Sequence, residues 1–232
     1  MRTLLQNGWL YDGTGAPARR GSLLIDGETI AAVDAPEGAQ ADLVLDCEGL
    51  AVAPGFIDSH SHNDWFACRP DPLPYFAPFL EQGIATQVAG NCGFSPFGWE
   101  ADTPHRALIG SGLFSLLPDA PDVHDLPGFA AACGRPPVNL LPLYGHMSGR
   151  ISLAGYDPRP LTAEELDRLD DLMASALEAG AGGISLGLMY EPDRYAPYEE
   201  LRRAARMAQR YGRVLTVHAR ACSAASTSYS PP

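Results

Sequence analysis

From about residue 50 the chain alternates short apolar runs with helical patterns, and few folds accept that alternation. Strands are predicted over 50–57, 84–89, 138–144, 183–188 and 214–217. Between them, helices are predicted over 75–82, 126–134 and 198–211. A further helix opens at Thr162-Ala163-Glu164-Glu165, a capping box with Thr as N-cap and Glu at the third position. Leu166, Leu169, Met173, Ala176 and Leu177 then share one face at helical spacing, and Gly180 to Gly183 supply the stop. Strands separated by helices make βα units with a parallel, right-handed sheet. Five such strands form part of a (β/α)8 barrel, which needs eight strands in about 250 residues.

The first 50 residues read differently. Ser22 to Ile25 and Thr29 to Val33 flank Asp26-Gly27, a hairpin signal because Gly accepts the positive φ of a tight turn. Leu43-Val44-Leu45 gives another strand. The predicted α/β architecture is therefore a small β unit over 1–50 and a partial TIM-like barrel over 51–220. Residues 221–232 are small, polar and patternless and read as a disordered tail. Between the second and third barrel strands, Pro96 to Pro137 is a long segment rich in Pro, Gly and Asp. Segments of that kind are often functional.

A net charge of -12, with all basic residues Arg, leaves no basic patch for nucleic acid or an anionic membrane surface. Arg202, Arg203 and Arg206 read as a solvated helix face. No stretch of about 18 apolar residues is present, so no transmembrane helix is predicted. The N-terminus does not form a signal peptide pattern, and the expected compartment is the cytoplasm. Cys47, Cys68, Cys92, Cys133 and Cys222 are odd in number and irregular in spacing, which fits free thiols better than a disulfide framework.

The chemistry concentrates at the predicted strand ends. Pro54-Gly55-Phe56-Ile57-Asp58-Ser59-His60-Ser61-His62 closes an apolar run on two histidines spaced i, i+2. Alternate side chains of a strand share a face, so His60 and His62 point the same way, as two metal ligands must. Cys92, His146 and His218 also fall at strand ends, where (β/α) barrels place their active groups. Imidazole nitrogen and thiolate sulfur are favoured zinc donors. Taken alone, Cys92 reads as a buried inert thiol, and His146 equally as a ligand or a hydrogen-bonded structural residue. Asp58 shares the parity of the histidine pair and is a candidate to orient one of them; Asp64 lies just beyond and either lines the pocket or caps a turn. His105 and His124 read as surface residues of the long segment.

These motifs resemble those of the amidohydrolase superfamily, whose strand-one signature the Gly-Phe-Ile-Asp-Ser-His-Ser-His run matches. Gly90-Asn91-Cys92-Gly93-Phe94-Ser95 is similar to the N-acyl-D-amino-acid deacylase (D-aminoacylase) branch, as are Gly187 to Pro192 and His218-Ala219-Arg220. The resemblance covers residues 1 to about 220. It implies that the small β unit over 1–50 is the N-terminal portion of a β-sandwich, and it implies a zinc-dependent hydrolase of the amide bond of small N-acyl-D-amino acids. In it, His60 and His62 would ligate a weakly occupied metal position, and Cys92 and His218 would hold the tight zinc. Met189 and Tyr190 match a segment bordering the acyl pocket, with ordinary packing as the alternative role. The family's acid/base aspartate, a further metal histidine and a carboxylate-binding arginine come later than residue 232. The chain therefore resembles a C-terminally truncated member, and turnover by it alone is not expected. Smaller departures are Asn63 where an acidic residue is usual, and Asp193 where Gly is common. A cyclic amide hydrolase of the dihydroorotase type is the rival enzyme, but it bridges its metals with a lysine and this chain has none. A metal-binding fragment without activity is the rival of another class.

Overall fold

The structure, a computed structural model, describes residues 1–36, 38–110 and 122–220, so the predicted tail lies outside it. The chain divides into two compact units, Met1–Gly55 and a second beginning at Phe56. The first unit is one mixed sheet. Its strands are β1 (Arg2–Leu10), β2 (Arg19–Asp26), β3 (Thr29–Val33), β4 (Leu43–Asp46) and β5 (Ala51–Val52). The order is β3-β2-β1-β4, with β5 also paired to β1. β2 and β3 form the hairpin expected at Asp26-Gly27, with Gly27 at φ 58°.

The second unit carries five parallel strands in the order β10-β9-β8-β7-β6. These are β6 (Phe56–Asp58), β7 (Ile84–Ala89), β8 (Asn139–Gly145), β9 (Gly183–Gly187) and β10 (Val214–His218). α1 (Asp64–Ala67) and α2 (Leu73–Leu80) separate β6 from β7; α3 (Leu126–Cys133) separates β7 from β8. α4 (His146–Ala154) and α5 (Ala163–Glu178) lie between β8 and β9, and α6 (Tyr198–Arg210) between β9 and β10. Short 3-10 turns occur at Arg106–Leu108 and Asp193–Tyr195. This is the βα repeat of a TIM-like barrel, with five of its eight strands.

α5 forms as its sequence predicts. Thr162 Oγ1 accepts from Glu165 N–H, and the Glu165 carboxylate accepts from Thr162 N–H. Its Leu169, Met173, Ala176 and Leu177 are buried, packed in one core with Phe76, Tyr144 and Ile184. α6 fully buries Glu200, Ala204 and Ala208 and packs Leu201 and Met207 against the same core.

Several expectations are corrected. The strand predicted over 50–57 is two strands, one in each unit. Pro54 has no N–H to give a ladder, and the run breaks there. α1 and α4 were not predicted. Of the arginines read as a solvated helix face, Arg202 and Arg206 are exposed and pair with Glu199, while Arg203 is half-buried and bonds Asp167 and Asp170 of α5. Cys68 and Cys133 form a disulfide that ties the end of α1 to the end of α3, so they are not the free thiols expected. Cys47 and Cys92 are free and buried. Among the described residues no helix is long and apolar enough to cross a membrane.

Candidate metal centre

β6 ends at Asp58, so His60 and His62 stand beyond the strand and not on it. The turn is held by Asp58, whose Oδ1 accepts from His60 N–H at 3.1 Å. The two rings meet edge to face at 5.5 Å between centroids. β7 delivers Cys92. Its loop is a run of left-handed residues, Gly90 at φ 81°, Cys92 at 56° and Gly93 at 78°. For Cys92, a non-glycine, that conformation is uncommon. β10 delivers His218 at its last residue.

The sequence-predicted donors converge. Cys92 Sγ lies 3.4 Å from His60 Nε2 and 3.3 Å from His218 Nδ1. One donor atom each of His60, His62 and Cys92 falls within 4.8 Å of the others, a spacing that could hold a metal ion. The donor set is nitrogen and sulfur, the set zinc prefers. Burial, then the neighbouring His60 and His218, pulls the His62 pKa down to about 4, so its imidazole is neutral at physiological pH with a lone pair to give. Burial pushes the Cys92 thiol up, so a metal would have to displace its proton. Cys92 belongs to one buried apolar cluster with Phe94, Trp99, Ile109, Met147 and Ile151.

Met189 and Tyr190 follow β9. The Tyr190 ring stands edge-on to His218 at 4.8 Å and tilts against Phe94 at 5.6 Å. Met189 is exposed. Asp64 opens α1 and is buried, with neither carboxylate oxygen in a full hydrogen bond. Burial pushes its pKa up to about 8, against the pull of the nearby backbone N–H groups of Asp64, Gly90 and Trp65. His105 and His124 take no part in the centre.

His146 does not join the donors either. It is buried, with Nδ1 2.9 Å from Asp193 Oδ1 and Nε2 3.6 Å from Glu200. Arg150 completes this group, 3.5 Å from Glu200. Burial acts to lower the His146 pKa, but the carboxylates of Asp193 and Glu200 carry it above its ordinary value. Sequence reasoning missed Asp193, Glu200 and Arg150. The one available signal was the i, i+4 spacing of His146 and Arg150, which places both on one helix face.

The sequence profile of the Amidohydrolase family matches residues 43–223. An N-acyl-D-glutamate deacylase of Alcaligenes xylosoxydans xylosoxydans is 37% identical over 94% of this chain and 43% of its own length. A D-aminoacylase of the same organism is 35% identical, over 94% of this chain and 44% of its own. Among solved structures, the N-acyl-D-glutamate deacylase of Bordetella bronchiseptica, in complex with zinc and a phosphonate inhibitor, superposes with a TM-score of 0.78. It is 37% identical and matches 94% of this chain and 45% of that one. The chain thus spans under half the length of these relatives, among which the likeness to the D-aminoacylase branch carried by Gly90 to Ser95 holds. With the profile matched over most of its residues and the βα sheet in place, this chain belongs to the Amidohydrolase family.

Proposed function

We propose that Cys92 and His218 hold one zinc ion tightly, that His60 and His62 complete the centre or hold a second ion weakly, and that the centre serves hydrolysis of the amide bond of an N-acyl-D-amino acid. The observation that carries this reading is the approach of the Cys92 sulfur to imidazole nitrogens on either side, at 3.4 and 3.3 Å. When bound, zinc supplies a water acidified to a pKa of about 7 and a Lewis acid for the scissile carbonyl.

The chain's own residues have distinct tasks in this reading. Asp58 fixes the His60 backbone, and with it the direction of that ring. Asp64, buried two positions after His62, is assigned the task of steering a histidine once a metal is bound. Tyr190, stacked edge-on against His218, borders the acyl group together with Met189. Deacylase activity in the relatives at 37% and 35% identity supports the substrate class. The absence of any lysine from the sequence weighs against a cyclic amide hydrolase.

The test is zinc content by elemental analysis after dialysis against zinc and then buffer, together with release of D-glutamate from N-acetyl-D-glutamate. Wild type is expected to retain zinc and Cys92→Ala to lose most of it. No retained metal in wild type, or full retention by Cys92→Ala, defeats the centre. Retained zinc without turnover supports metal binding by this chain, from which turnover alone is not expected; the hydrolytic reading is decided on a protein of the relatives' full length, where turnover unchanged by Cys92→Ala would defeat it.

A further inference from the structure

The buried group around His146 lies directly behind the loop that carries Cys92. Asp193 is fully buried and makes two bonds. Its Oδ1 faces His146 Nδ1 at 2.9 Å, and its Oδ2 accepts from Gly187 N–H at 3.0 Å. Gly187 ends β9, and a Cβ there would strike the Cys92 carbonyl. Gly93, the next residue, has equally little room: a Cβ on it would lie 3.0 Å from Asp193 Oδ2 and 2.9 Å from Gly187 N. Other bonds close the bracket. Gly93 N–H donates to Ser185 Oγ at 3.0 Å, Ser185 Oγ donates to Gly90 O, and Gly93 O accepts from Ser148 N–H at 3.1 Å. Glu200 belongs to the same buried group, meeting His146 and Arg150, but it makes none of these contacts with the loop.

We propose that Asp193, seated on His146, is a positioning residue for Cys92: it locks Gly187 against the Cys92–Gly93 peptide and so holds the sulfur between His60 and His218. The carboxylate does this because two acceptor oxygens, fixed in one place, bind donors from two different elements, the end of β9 and the start of α4. Truncating it leaves Gly187 N–H and the imidazole without partners in a dry site. The metal role of Cys92 is taken from the preceding reading, but the brace itself does not depend on it.

Two readouts separate these layers. The first is the rate at which iodoacetamide alkylates Cys92 in the chelator-treated chain, followed by peptide mass spectrometry with buried Cys47 as the internal reference. Asp193→Ala is expected to raise the Cys92 rate several-fold. Glu200→Ala, a matched truncation in the same buried group, is expected to leave it at the wild-type value. Should Asp193→Ala not fold by circular dichroism, Asp193→Ser keeps a polar group in place but cannot reach both donors, and the same rise is expected. The second readout is cobalt(II) titration, where the Asp193 variant is expected to bind about tenfold more weakly, with a weaker thiolate-to-cobalt absorption band. Equal alkylation rates in the Asp193 and Glu200 variants, or a wild-type rate in a folded Asp193 variant, would overturn the brace. Failure of wild type to bind cobalt at all would instead overturn the metal centre, with the alkylation comparison still deciding the role of Asp193.

Discussion

At the scale of single residues, the centre places two oppositely perturbed groups two positions apart. His62 is held down to about 4 by burial and by the imidazoles beside it, and Asp64 is pushed up to about 8 by burial. Their linkage to stability runs in opposite directions. A histidine with a depressed pKa binds its proton in the unfolded chain first. Its contribution is whole above the ordinary value of 6.5 and is lost as pH falls toward 4. A carboxyl with a raised pKa keeps its proton in the fold and releases it on unfolding. Its contribution is whole below 3.8 and is lost as pH rises toward 8. Asp64→Asn removes the second effect alone. Measured by denaturant unfolding of the metal-free chain, the stability difference between variant and wild type is expected to move in the variant's favour from pH 4 to pH 8. The change should be on the order of a few kcal/mol, since each unit of pKa shift is worth about 1.4 kcal/mol. Parallel pH curves for the two proteins would mean that Asp64 is ionised in the fold.

Among the elements, α5 has a start that rests on local chemistry, which a single substitution can probe. Thr162 and Glu165 bond reciprocally, and Arg159 grips the same carboxylate through two nitrogens at 2.7 Å each. That bidentate contact with Arg159 is the main cause holding Glu165 down to about 2. Thr162→Ala is expected to cost about 1 kcal/mol, read as a lower denaturation midpoint with unchanged slope. An unchanged midpoint would show that the Arg159–Glu165 contact alone sets the helix start. The capping box and heptad-like apolar face made this helix legible in the sequence. α4 was not legible, because His146–Ala154 is buried on nearly every side and so has no amphipathic stripe, and Ser148, Gly149 and Ser152 dilute its helix formers. The candidate donors were legible because each lies at or within a few residues beyond the end of an apolar run, although only His218 is itself the last residue of a strand. The bracket behind them was not, since His146 and Asp193 are 47 positions apart and meet only through packing. The same holds for Cys68 and Cys133, separated by 65 positions with no spacing signal between them.

For the molecule as a whole, the parallel sheet of the second unit ends at β6 and β10 among the described residues. Both end strands show apolar side chains to solvent: Phe56 and Ile57 are 66% and 68% exposed, Val214 and Val217 53% and 48%. A terminal strand offers a row of unpaired N–H and C=O groups, and an apolar terminal strand offers adhesive side chains as well. Natural sheets blunt such edges with charge, yet no Lys is available and neither strand contains Arg. The chain alone is therefore expected to self-associate as its concentration rises through the micromolar range, seen as a growing weight-average mass in sedimentation. Ile57→Lys together with Val217→Lys should shift that association to higher concentration, because a charge on each edge must be desolvated before strands can pair. Neither position contributes a donor to the centre, so cobalt affinity measured at low protein concentration should be unchanged in the double variant. A wild-type mass that stays monomeric across the range would show that these edges do not drive association. An associating double variant would place the contact on another surface, such as the apolar face of the N-terminal sheet around Leu5, Leu23 and Ile25.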